Sequence, residues 1–226
     1  MHIMEGFLPV SWCVLWFALS IPFVAYGIRK LEHLFREKPE LKPLIAIVAA
    51  FIFILSAIKI PSVLGSSSHP TGTGFAAILF GPAVSAVMSV IVLLYQAIFL
   101  AHGGLTTLGA NVFSMGIAGP FFAYTVYKVC IYSKVSMSSS IFMAATLGDL
   151  FTYAVTSLQL ALAFPAPIGG VLTSMGTFMG IFGITQIPIA IAEGLLTVAI
   201  FRYIQHARAD ILAGFNMKNM KECGAT

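Results

Sequence analysis

The chain has 226 residues, of which 59% are hydrophobic and only 9% charged, with 12 Lys+Arg against 8 Asp+Glu. Soluble domains carry roughly 25% charged residues, so an ordinary water-facing surface is excluded, and the apolar content excludes intrinsic disorder. The composition points to an all-α membrane protein: one integral-membrane domain over residues 1–226, a bundle of transmembrane segments, without room for a separate soluble catalytic domain.

A crossing needs about 20 apolar residues. The first uncharged stretch, residues 8–28, meets that length. It does not read as a cleavable signal peptide, because Glu5 and no basic cluster precedes it. Trp12 and Trp16, one turn apart, suit either an interfacial aromatic belt or a lipid-facing surface. A charged loop, RKLEHLFREKPELK at 29–42, precedes a second span at 43–62. The polar, Gly-rich stretch GSSSHPTGTG occupies 65–74. An apolar run over 75–101 follows, interrupted at Gly81-Pro82, and further spans are predicted at 108–127, 141–164 and 175–201. A mainly polar tail covers 202–226. Cys13, Cys130 and Cys223 lack paired spacing and read as packing residues.

The run at 75–101 is either one long helix or a short piece, 75–81, followed by a full span, 82–101. The distribution of positive charge decides between them. With two pieces and the N-terminus outside, segments 29–42, 128–136 and 202–226 all face the cytoplasm, and every basic residue except Lys59 lies there. With one piece, Lys128, Lys134 and the tail move outside. The seven-segment reading is preferred. Seven helical residues cover only about 10 Å, so the short piece is re-entrant or broken. Such backbone persists at membrane depth only when buried in protein or lining a cavity. The region after His69 is therefore where a site is expected.

No HExxH, GxSxG, phosphate-binding glycine loop or CxxC occurs, so the common enzyme and nucleotide signatures are missing. His33 and His206 fall in cytoplasmic segments and read as ordinary solvated residues, whereas His2, His69 and His102 fall at the outer level. His2 stands out for what is attached to it. The α-amine of Met1, the His2 backbone nitrogen and the His2 Nδ1 can close on one cation as fused chelate rings. The bulky second residue argues that Met1 is retained. Three such nitrogens are nearly planar, and His69 offers a fourth donor. Planar nitrogen sets suit Ni(II) and Cu(II) and accommodate Co(II). The competing reading is a mobile terminal histidine and a capped loop residue at His69.

The opening MHIMEGFLP, the stretch SSSHPTGTGFAAILFGP at 66–82 and AHGGLTTLGAN at 101–111 resemble the CbiM/NikM family. These are the substrate-specific (S) membrane components of energy-coupling-factor importers for cobalt and nickel, and the resemblance covers nearly the whole chain. It implies a metal site at Met1, His2 and His69, with Co(II) or Ni(II) as transported substrate and no nucleotide bound by this chain. It also implies a transmembrane coupling subunit, cytoplasmic ATPase subunits and a small accessory membrane protein as partners. A multi-pass protein of a prokaryotic cell membrane, linked to cobalamin biosynthesis and without nucleic-acid partners, is implied as well. Met4-Glu5 resembles the cobalt members, where nickel members more often read Pro-Asp. The expected metal is cobalt, with nickel as runner-up.

His102, Asn111 and Gln159 sit at the outer level and either orient the ligand histidines or cap loops. Asp149 and Glu193 are expected in the inner halves of their spans, far from the metal. Thr152 and Thr156 share a face with Asp149, and Gln186 shares one with Glu193. An interhelical polar clamp is preferred over a role in coupling. Ala46 and Ala50 form a small-xxx-small pair, and similar alanines in the family face the coupling subunit. The reading is a substrate-capture subunit and not an enzyme. The rivals are a membrane-embedded metallohydrolase, which needs an open coordination position and a general base, and a purely structural subunit.

Overall fold

The computed structural model describes residues 2–61 and 66–207. Helix α1 runs Val10–Glu37, and a 3-10 turn, Pro39–Leu41, leads into α2, Lys42–Ala57. Helix α1 extends nine residues past the expected end at 28, into what was expected to be a charged loop. The physical reason is local: Leu31, Glu32, Leu34, Arg36 and Glu37 are good helix formers, and the first breaker is Pro39. Helix α2 stops five residues short of the expected end at 62, which itself lies outside the described residues. The chain then turns extended, because Ile60–Pro61 joins a small antiparallel sheet. That sheet contains β1 (His2–Ile3), β2 (Ile60–Pro61) and β3 (Ser66–Ser68) in the order β1-β3-β2, with His2 opposite Ser67 and Ile60 opposite Ser68.

The apolar run at 75–101 is two helices, α3 (Thr73–Phe80) and α4 (Pro82–Phe99). Gly81 separates them with φ +86°, and Pro82 cannot donate to a continuing helix. The segment expected at 108–127 is one helical path from 108 to 132: α5 (Leu108–Asn111), a π-helical stretch Val112–Ala118, and α6 (Gly119–Tyr132). Wide π turns of this kind are frequent at functional sites, and this one begins directly after Asn111. Helices α7 (Met137–Ala163) and α8 (Gly170–Ala207) complete the bundle. Among the described residues, five helices are long and apolar enough to cross a membrane: α1, α2 with its preceding turn, α4, α7 and α8.

Two apolar clusters fill the bundle. Ile3, Leu8, Trp16, Leu160, Phe178 and Phe182 pack beneath the small sheet. Leu41, Val48, Tyr127, Ile141 and Phe201 pack at the end where the basic residues of α1, α2, α6 and α8 emerge. Trp16 is buried, with its ring 5.0 Å from that of Phe113, so it belongs to the core and to no interfacial belt. Cys13 and Cys130 are buried free thiols, as expected of packing residues, while Cys223 lies outside the described residues. His33 and His206 are exposed. Gln96 of α4 donates to the Phe53 carbonyl and to Ser56 Oγ of α2, at 3.2 and 2.8 Å.

Candidate metal centre

The extended segment that carries His69 descends from β3 into the bundle and meets α3 at Gly72. Gly72 has φ +68°, and a Cβ there would lie 3.3 Å from Ile52 Cα, midway along α2, so only glycine lets the chain turn against that helix. His69 thus sits where unpaired backbone would be costly, and three other elements satisfy the loop. Gln186 Nε2 of α8 donates to the His69 carbonyl at 3.2 Å and to Asp149 Oδ2 of α7 at 2.7 Å. The Glu193 carboxylate accepts from the backbone N–H groups of Thr71 and Gly72 at 2.5 and 2.8 Å, and from Thr71 Oγ1 at 3.0 Å. Successive N–H groups around a left-handed residue form an anion-binding nest, so a carboxylate from α8 closes the end of α3 where Ser or Asp would ordinarily cap. On β3, Ser68 Oγ meets Thr185 Oγ1 of α8 at 2.8 Å.

These contacts correct the expectation for the intramembrane acids. Asp149 and Glu193 are not remote from the histidine region; they tie its loop to α7 and α8. Thr152 and Thr156 are not their partners, because each returns its hydroxyl to a carbonyl of its own helix.

The amino-terminal segment is fixed with comparable density. Asn111 Oδ1 accepts from the Ile3 N–H at 2.8 Å, and its Nδ2 donates to the Ile3 carbonyl at 3.0 Å. Thr107 Oγ1 donates to the same carbonyl at 2.9 Å. Glu5 donates its N–H to the Gly103 carbonyl, and its carboxylate accepts from both the N–H and the hydroxyl of Thr106. A Cβ on Gly103 would lie 3.1 Å from the His2 ring, and one on Gly104 would collide with Glu5. The double glycine in AHGGL exists to let the first strand approach.

The result is a group of three buried histidines, His2, His69 and His102, whose ligand atoms all lie within 4.8 Å of one another. His2 Nδ1 contacts His69 Nε2 directly. His69 Nδ1 lies 2.8 Å from the Pro70 carbonyl, which can only accept, so that nitrogen carries the proton and Nε2 carries the lone pair. His2 Nε2 has no partner. His102 Nε2 meets Ser67 Oγ at 2.9 Å, and its Nδ1 is buried without a partner. Burial first, then the neighbouring His69 and His102, holds the His2 imidazole well below its ordinary pKa, and burial does the same for His69. Burial together with the Lys59 ammonium pushes His102 down to about 3. All three rings are therefore neutral, the form that binds metal. The His69 Nε2 lone pair faces His2 Nδ1, and a neutral His2 fills that contact either with its own Nδ1 proton or with a bound cation.

His102 thus joins the cluster itself, whereas Asn111 acts on the backbone of Ile3. Gln159 serves neither: its Nε2 donates to the Ala110 carbonyl at 3.0 Å and steadies α5. Met1 lies outside the described residues. Sequence reasoning missed Ser67, Thr106, Thr107 and the link from Gln186 to His69. The paired glycines at 103 and 104 were the legible signal for a close approach there. Ala46 and Ala50 are exposed on α2 beside Ile47 and Ile54.

Residues 2–211 match the family model described as the cobalt uptake substrate-specific transmembrane region, CbiM. The cobalt transport protein CbiM of Chlorobium limicola is 56% identical over 211 residues, covering 93% of this chain and 83% of that protein. The cobalt transport protein CbiM of a Nostoc species is 57% identical over 205 residues, covering 91% and 78%. A crystal structure of a truncated transition metal transporter superposes with a TM-score of 0.81 at 25% identity, covering 91% of this chain and 99% of that one. The fold also resembles the S-component for biotin of an energy-coupling-factor transporter, with a TM-score of 0.55 at 20% identity. With its bundle, its apolar helices and a match over nearly its entire length, the chain belongs to the CbiM family of prokaryotic multi-pass cobalt-uptake components, which are parts of a transporter and not enzymes.

Proposed function

We propose that this chain is the substrate-capture component of an ATP-driven importer of Co(II). The metal is held by the Met1 α-amine, the His2 backbone nitrogen, His2 Nδ1 and His69 Nε2. The observation that carries the reading is the convergence of His2 Nδ1, His69 Nε2 and His102, three buried imidazoles whose ligand atoms lie within 4.8 Å of one another. Fused chelate rings at the terminus fix three donors in a plane, and an imidazole aimed at their fourth corner favours a late first-row dication. Ni(II) suits the same donor set and is the second reading.

With the N-terminus outside, the histidine centre opens to the exterior and the basic helix ends meet the cytoplasm, in keeping with the positive-inside rule. The ion sheds water as it enters, since the imidazoles replace hydration in a buried pocket. The exposed Ala46–Ala50 ridge provides a surface on which a transmembrane coupling subunit can pack closely, with cytoplasmic ATPases supplying the energy. Purified protein with an unmodified terminus should bind one Co(II), and one residue added before Met1 should abolish that binding while the protein stays folded. Unchanged Co(II) and Ni(II) binding after the addition would overturn the proposal.

A further inference from the structure

The orientation of the Gln186 amide is fixed by its partners. The His69 carbonyl can only accept, so the nitrogen faces it and Asp149 Oδ2, and Oε1 is the amide atom left over. Gln186 Oε1 and Asp149 Oδ1 are then two buried oxygens that meet no donor. Their residues are 0% and 1% exposed. The two side-chain ends are adjacent, since Gln186 Nε2 and Asp149 Oδ2 are hydrogen-bonded at 2.7 Å. Glu193 cannot supply what they lack, since its own oxygens are taken by Thr71 and Gly72.

Buried acceptors are ordinarily matched by a donor, an ordered water or a cation, and this pair meets no donor among the described residues. The same lack continues along the seam between α7 and α8. Thr146 Oγ1, which occupies the space that a side chain at residue 194 would fill, is buried without a partner, and so is Thr197 Oγ1, one turn beyond Glu193. Residues 146 and 197 lie nearer the basic end of the bundle than 149 and 193, because α7 starts at that end and α8 finishes there.

We propose that Asp149 and Gln186 form a second cation site, built from oxygen donors, that receives the metal dication as it leaves the histidine centre. The proposal rests on the reading of this chain as a carrier of such a dication. Carboxylate and amide oxygens hold a late first-row dication more weakly than chelating nitrogens and with less demand on geometry. A site of this kind suits passage and not storage. Its place is one amide group from His69, on the side of the centre away from the amino terminus, and it gives the buried Asp149 a role that a hydrogen-bonded clamp does not require.

The test uses full-length protein with an unmodified terminus and Co(II) alone as probe, followed by equilibrium binding and by the absorption spectrum of the bound ion. The wild type should show the nitrogen-dominated spectrum, and cooperative thermal unfolding of Asp149→Asn in detergent shows that the variant folds. The double variant His2→Ala/His69→Ala, which loses both imidazole donors, should retain a weaker Co(II) with the faint spectrum of an oxygen-rich octahedral ion. Adding Asp149→Asn to it should weaken that remaining binding at least about tenfold, since affinity at oxygen sites follows ligand charge. Equal binding by this double variant with and without Asp149→Asn, or no residual binding in it, would overturn the second site while leaving the histidine centre standing. Absence of Co(II) from the wild type would overturn both. Asp149→Ser repeats the comparison should the Asn variant fail to fold.

Discussion

The side chain of Asn111 pairs with both backbone groups of Ile3, accepting from its N–H at 2.8 Å and donating to its carbonyl at 3.0 Å. A single amide thereby serves as a strand partner on one side of β1 while β3 serves on the other. His2, the preceding residue, inherits its position from this pairing. Asn111→Ala should lower Co(II) affinity by about 10- to 100-fold, the range for losing an outer residue that orients a ligand. Titration of the purified variant checks this, and retention of the wild-type melting temperature distinguishes a positioning loss from unfolding.

Gly104 leaves room for the Glu5 side chain, which any Cβ there would displace. Gly104→Ala should therefore detach the first strand and reduce Co(II) binding, whereas Gly176→Ala, whose Cβ would meet nothing, should leave binding unchanged. Parallel titrations of the two variants make the comparison.

Glu193→Gln places an amide NH2 against the N–H groups of Thr71 and Gly72, where a carboxylate now accepts. Hydrogen bonds to charged groups are worth roughly 1.5–3 kcal/mol, so a loss of about 2 kcal/mol in stability is expected. Co(II) affinity should fall with it, because the turn after His69 loses its anchor. Thermal unfolding in detergent measures the first effect and titration the second.

The Thr106 hydroxyl holds the Glu5 carboxyl below its ordinary pKa of 4.5. The folded chain therefore binds fewer protons than the unfolded one as pH falls through that region. The stabilisation is complete above the unfolded value and is lost as pH drops through the lower folded value. Exchange of the Glu5 and Gly6 amides should accelerate relative to the intrinsic rate below about pH 4.5, and Glu5→Gln should remove the acid dependence.

Ala46 and Ala50 lie on the exposed face of α2 and touch neither the histidines nor their supports. Ala50→Leu should leave Co(II) binding intact but reduce co-purification with the coupling subunit. Loss of metal binding in this variant would refute the assignment of that face.

Much of the bundle was legible because apolar runs and basic residues are sorted along the chain, and the break at Gly81-Pro82 is written in two residues that cannot continue a helix. The extension of α1 to Glu37 was hidden because charge was read as loop, although Leu31 and Leu34 carry the helical period onward. His2 and His69 were readable from donor chemistry. The depth of the His69 loop was not, because it depends on Gly72 meeting Ile52 and on Glu193 reaching across from α8. No spacing within one segment encodes a contact between residues 122 apart. The direct ring contact of His102 with His2, and its bond to Ser67 of β3, are set only in three dimensions.

The two anchors of the centre have a consequence for how the chain matures. Ile3 finds its partners 104 and 108 positions later, and Thr71 waits 122 positions for Glu193. Bringing such distant segments together costs loop-closure entropy before any contact repays it. The segment that carries His2 is thus among the last to find its place, and the proposed metal pocket comes into being only when α8, the last of the described helices, is already seated. A chain truncated before Glu193 would hold every proposed metal ligand and still have no turn fixed to present His69.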